Sequence, residues 1–184
     1  MIHANSETTI KRIAAITTVR NDSIFLDKWI QYYGDALGVK NLFVFLDGHD
    51  QVAPECAKEI NTLYLPHIPL ERVPAMRRRA RVMSDLARGL FKYFDAVIVT
   101  DVDEFVIVDP TLGLSLSEYL SRSKSRSTVS GLGLDVGQHL KLEDPLDLSR
   151  PFLDQRQFAH ISSRYTKPNI AFQPVTWGSG MHRI

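Results

Sequence analysis

Three short apolar runs limit what this chain can become. They are Ile13–Val19 in RIAAITTVRND, Leu42–Leu46 in NLFVFLDGHD and Val97–Thr100 in AVIVTDVDEF. Each has the length of a buried strand, and each ends in polar residues. Segments of helical period separate them. Leu26, Trp29, Ile30, Tyr33 and Leu37 fall on one helical face, with Asp22 or Ser23 placed to cap the start and Gly38 to stop the end. Pro54–Ile60 reads as a short helix, and LYLPHIP as a poor strand broken by Pro66 and Pro69. Met76, Ala80, Met83, Ala87, Leu90 and Phe94 mark a longer helix. Strand and helix alternate as far as residue 108, the pattern of an α/β fold with a mostly parallel central sheet flanked by helices.

After Pro110 the pattern weakens. SLSEYLSRSKSRS reads as a short helix and a polar loop, TVSGLGLDVG as a strand and a glycine-rich turn, and DPLDLSRPFLD as irregular chain. The 184 residues suffice for one domain with a real core. A net charge of +1 argues against nucleic acid as a partner. The single cysteine, Cys56, has no internal disulfide partner and no adjacent histidine or C-x-x-C companion, so it reads as a buried structural thiol in a cytosolic chain. The N-terminal MIHANSETTIKR has no apolar signal core, and no apolar run approaches the ~20 residues that span a bilayer.

In α/β sheets the ligand crevice lies beyond the carboxyl ends of the strands. The clusters TTVRND, LDGHD and TDVDEF should therefore converge. The last is the most informative, because three acids, Asp101, Asp103 and Glu104, interrupt an apolar run. In an extended segment Asp101 and Asp103 would face one side. Neighbouring carboxylates at a low-dielectric site repel, and a divalent cation removes that conflict. Hard oxygen ligands suit magnesium or manganese, with substrate phosphate oxygens completing the shell. Glu104 suits a supporting role beside the ligands. The plain alternative is a set of structural salt bridges or loop caps. GLGLDVG lacks the dinucleotide spacing, and no Walker-type loop is present.

These pieces, taken in order, resemble the GT-A fold glycosyltransferases (nucleotide-diphospho-sugar transferases, Rossmann-like). The likeness is to the family 2-like branch with an LDxDEF-type motif, related to family 92. The segments that carry it are AAITTVRNDSIFLDKWIQYYGDALGVKNLFVFLDGHDQ, RRRARVMSDLARGLFKYFDAVIVTDVDEFV and RYTKPNIAF with WGSGMHR. The resemblance implies a nucleotide-sugar donor, often a UDP-sugar, and a divalent metal, usually Mn2+, with Mg2+ as the alternative. It implies one catalytic domain over residues 1–184, with a nucleotide-binding half at 1–110 and an acceptor-side half at 111–184 that stops short of its relatives' C-terminal continuation. Its acceptor, a glycan, a lipid-linked chain or a protein, stays open.

By position, the resemblance implies that Asp103 ligates the metal and that Asp101 contacts the ribose or reaches the metal through water. It implies that Thr18, Arg20, Asn21 and Asp22 line the base pocket, that Asp47 meets the nucleobase or ribose, and that His182 is a further metal ligand. Asp47 also starts good turn chemistry in DGHD, and Arg20 equally suits a surface ion pair. Arg77, Arg78, Arg79 and Arg81 read as opening the longer helix, where the dipole disfavours cations and a diphosphate partner would suit them. Arg81 is the expected donor contact; Arg77, Arg78 and Arg79 suit solvent or a peripheral contact with anionic membrane. No acidic base of the family pattern stands out, which leaves Asp135 and Asp154 as candidates. Two other readings remain open: a haloacid-dehalogenase-like phosphohydrolase, whose D-x-D also follows an apolar strand, and a non-catalytic sugar-nucleotide or carbohydrate-binding domain.

Overall fold

The computed structural model describes residues 9–184, so the first eight residues of the N-terminal segment lie outside the described part. The chain has an α/β fold. Strand β1, Ile13–Val19, lies inside the sheet and pairs in parallel with β2, Leu42–Asp47, on one side and with β4, Ala96–Val99, on the other. Ala14, Ala15, Ile16 and Thr17 are sealed from solvent. Both faces of this strand are covered, which is why it reads as one unbroken small-apolar run and not as an alternation.

Helix α1, Ser23–Leu37, starts where Asp22 accepts the Phe25 N–H at 3.2 Å and stops at Gly38, whose φ of +90° suits glycine. Its buried face is Leu26, Trp29, Ile30 and Tyr33, as the periodicity predicts. The short helix expected at Pro54–Ile60 is present as a 3-10 helix, Glu55–Glu59. Strand β3, Asn61–Leu65, begins earlier than the LYLPHIP reading and ends before Pro66, which has no N–H for a ladder. It pairs in parallel with β2 and forms the sheet edge.

Helix α2 runs from Arg72 to Leu90. Its earlier start corrects the dipole argument: Arg77, Arg78, Arg79 and Arg81 lie past the first turn, where the dipole has decayed. Phe94 lies beyond the helix and packs edge-on against Phe43, with ring centroids 5.8 Å apart. Ser115 and Glu118 form a reciprocal capping box that starts α3, Leu116–Arg122.

The later strands are short. β8, Ile170–Ala171, adds antiparallel to β4, and β5, Thr128–Val129, adds antiparallel to β8. The full order is β3-β2-β1-β4-β8-β5, so residues from both halves of the chain share one sheet. β6, Leu134–Val136, and β7, Ala159–Ile161, form a separate exposed ribbon. Among the described residues no helix is long and apolar enough to cross a membrane.

The strand order carries one functional consequence. From β1 the chain steps to β2 and β3 on one side, then returns to place β4 on the other side of β1. The carboxyl ends of β1 and β4 therefore flank the topological switch point, where a crevice opens in sheets of this kind.

Candidate functional site

A cleft of about 360 Å³ lies at that switch point. Thr18, Val19, Arg20 and Asp22 line it from the end of β1, Arg79 from α2, and Asp101 to Asp103 from the segment after β4. That segment is not extended. β4 ends at Val99, and the Glu104 N–H donates to the Asp101 carbonyl at 3.0 Å, closing a turn. Asp101 and Asp103 share the cleft because of this turn, not because of strand alternation.

The aromatic face of α1 holds the turn at both ends. The Trp29 indole N–H donates to the Thr100 hydroxyl at 2.9 Å in a fully buried contact. The Tyr33 hydroxyl accepts the Val106 N–H at 2.9 Å, and the Tyr32 hydroxyl donates to the Val106 carbonyl at 2.7 Å. Burial pushes the Tyr32 phenol up to about 12, so it stays a donor across the ordinary pH range. Phe105, Val106 and Val108 then return to the core, while Ile107 is exposed.

The acids divide into two classes. Lys167, only 3% exposed, places its ammonium 3.1 Å from Asp101 Oδ2 and 2.5 Å from Glu104 Oε1. Arg79 reaches the other oxygen, Asp101 Oδ1, at 3.1 Å. Burial pulls the Lys167 pKa down, but Asp101 and Glu104 outweigh it and leave the group above its usual value, a cation. Burial raises the Glu104 carboxyl, against the opposing Lys167 hydrogen bond, and its Oε2 has no hydrogen-bond partner among the described residues. Asp103 makes no ion pair among the described residues. Burial raises its pKa first, and the carboxylates of Asp101 and Asp22 add to that.

Such a carboxylate suits a divalent cation. Among the described residues, however, no group of three or more His, Cys, Asp or Glu side chains is disposed to hold a metal. One or two carboxylates completed by substrate oxygens is the usual arrangement for magnesium with a diphosphate, so the donor set fits a metal that arrives with its substrate.

Sequence reasoning gave Lys167 no role. It stands just before β8, and its position is fixed by the strand: the Asn169 N–H donates to the Lys167 carbonyl at 2.9 Å, and the Val99 N–H donates to the Asn169 carbonyl at 2.8 Å. The available signal was a lone lysine directly before the apolar stretch PNIAF.

Around the cleft rim, Arg20 makes a two-pronged ion pair with Asp50, at 3.1 and 2.9 Å, and also donates to the Asp47 carbonyl. The ion-pair reading of Arg20 thus coexists with its place in the cleft wall. A Cβ at Gly48 would collide with Asp50 and Arg20, and its φ of +129° also requires glycine. Asn21, at a φ of +56°, exchanges two hydrogen bonds with Gln51. The Asp47 carboxylate meets His67 Nδ1 at 3.2 Å. Asn21 and Asp47 tie the ends of β1 and β2 together without lining the cleft.

The remaining candidates lie elsewhere. Arg81 is exposed on α2, and Arg79 occupies the place expected of it. Arg78 donates to the Ile68 carbonyl at 3.1 Å, and Arg77 is exposed. His182 is exposed after the 3-10 turn Ser179–Met181, which packs on α2. Asp135 sits on β6 opposite His160, and Asp154 in the 3-10 turn Leu153–Gln155; both are exposed and neither lines the cleft. Cys56 is half-buried, not buried, and its thiol donates to Asp27 at 2.7 Å.

No protein-family profile matches the chain, and no curated protein matches it. Among solved structures it is similar to a mannosyltransferase, PcManGT from Pyrobaculum calidifontis in complex with GDP-Man and Mn2+, at 9% identity and a TM-score of 0.44. The match covers 90% of this chain and 45% of that one, so the chain spans less than half the length of that enzyme. The reading of the site therefore rests on its own geometry.

Proposed function

We propose that the chain is a metal-dependent glycosyltransferase of the GT-A kind, moving a sugar from a nucleotide-sugar donor, with a UDP-sugar as the first candidate, to an acceptor hydroxyl. The observation that carries this reading is the switch-point cleft in which, of the three acids after β4, Asp103 alone makes no ion pair among the described residues while Asp101 and Glu104 are already neutralised. A divalent metal, when bound, would neutralise the diphosphate leaving group, with Asp103 holding it and Asp101 contributing through water or to the ribose.

The chain's own residues do the rest. Thr18, Arg20 and Asp22 form the base side, Asn21 braces it through Gln51 from outside the cleft, and Asp47 braces it through Arg20. Arg79 is the guanidinium nearest the phosphates, in place of Arg81. His182 is a further ligand by resemblance. The acceptor oxygen forms a bond to the anomeric carbon as the bond to the diphosphate breaks, and a carboxylate takes the hydroxyl proton; Asp135 and Asp154, the candidates from the sequence, lie outside the cleft and would have to be brought to it.

The phosphohydrolase alternative needs the strand-terminal aspartate as a free nucleophile. Both oxygens of Asp101 are engaged by cations, which argues against that role. Thermal denaturation with UDP or GDP, each with and without Mn2+, tests the proposal. The expected outcome is stabilisation that requires both nucleotide and metal and is lost in Asp103→Ala. No response to either nucleotide with Mn2+ would sink it. Hydrolysis of the matching nucleotide-sugar then separates an enzyme from a binding domain.

A further inference from the structure

Among the described residues Lys167 is the only charged side chain that is fully buried. A buried ammonium is costly unless paired, and apolar replacements often serve stability as well as an ion pair does. Its position is also expensive to arrange. The Thr166 hydroxyl accepts the Gly133 N–H at 3.0 Å on one side, and β8 locks Asn169 to Val99 on the other. The ammonium is thus delivered to the underside of the acid turn from a segment more than sixty residues away in sequence.

The charge count around the turn is specific. Asp101 and Glu104 are paired with Lys167, Asp101 is also paired with Arg79, and Asp103 is left over. The affinity of oxygen-ligand sites for a divalent cation follows the charge of their ligands. A metal entering beside Asp103 meets two cleft carboxylates without an ion pair among the described residues, Asp103 and the α1-capping Asp22, and the repulsion of two nearby cations. A diphosphate brings the missing negative charge.

We infer that Lys167 is a positioning residue that withholds Asp101 and Glu104 from the metal, so that the divalent cation loads together with the nucleoside diphosphate and not before it. This rests on the glycosyltransferase reading and specifies how its metal site is controlled.

The test measures Mn2+ binding directly, from the loss of the free-ion EPR signal, with and without UDP or GDP. Wild type should bind Mn2+ weakly alone and about tenfold or more tightly with nucleotide. Lys167→Met should bind Mn2+ alone about tenfold more tightly than wild type and respond less to nucleotide. Lys167→Arg, which keeps the charge, should behave as wild type. Lys167→Met binding Mn2+ no more tightly than wild type overturns the inference while leaving the glycosyltransferase reading intact. A gain in Lys167→Met with no nucleotide response in any protein overturns both the joint loading and that reading. No Mn2+ binding by any variant overturns both. If Lys167→Met does not fold, Glu104→Gln reads the same balance from the other side. The ammonium then loses a partner, and Mn2+ binding with nucleotide should weaken about threefold; unchanged binding overturns the inference.

Discussion

The sheet formed by β1 to β4 and the short strands that follow it are built on different principles. In the first region parallel strands of four to seven residues are held by two helices; β1 and β4 are buried almost throughout, β2 is largely buried, and only the edge strand β3 is open to solvent. In the second, strands of two or three residues add to an edge or pair as a ribbon whose Leu134 and Ile161 are 52% and 65% exposed. Yet the second region contributes Lys167, which neutralises the acids that the first region presents. A stable scaffold can therefore depend, at its most charged point, on a segment with little core of its own.

Four substitutions would break or sharpen this contrast. Trp29→Ala removes one of the two largest fully buried side chains among the described residues and leaves the Thr100 hydroxyl without its indole donor; a loss of about 4 kcal/mol in urea denaturation is expected, and a loss under 1 kcal/mol would contradict the scaffold picture. Lys167→Ala, measured without metal, should cost about 3 kcal/mol, because two carboxylates lose their buried partner. A near-neutral result there would place the second region outside the cooperative unit. Asp22→Ala removes the α1 cap and should lower stability by about 1 kcal/mol, readable as a drop in melting temperature. Leu134→Ser on the ribbon should change stability by less than about 0.5 kcal/mol; a larger cost would mean the ribbon is packed in solution.

The legible parts of the fold were those with long local signals. α1 declared its cap, its buried face and its stop within seventeen residues, from Asp22 to Gly38, and β1 was readable to its ends. α2 was legible in its middle but not at its start, because Arg72, Val73 and Pro74 precede the first periodic apolar residue. β8 carries no period in its two residues, and only the family resemblance of RYTKPNIAF pointed to a strand there. At the site, the three acids and the loop after β1 were apparent from the strand ends alone. Arg79 and Arg81 were not distinguishable, because neighbouring positions of one helix differ only in which face the fold turns to the cleft.

The sequence by itself determined that polar clusters would gather at the carboxyl edge of a parallel sheet, since strand polarity and alternating helices allow little else. It also determined that Asp101, Asp103 and Glu104 would stand there together. Only the tertiary structure decided which of them are free. That choice depends on a turn in place of an extended segment, on the side of α2 that faces the cleft, and on an ammonium brought from far along the chain. Each is a long-range packing outcome, and none leaves a period or a spacing in the residues around the motif.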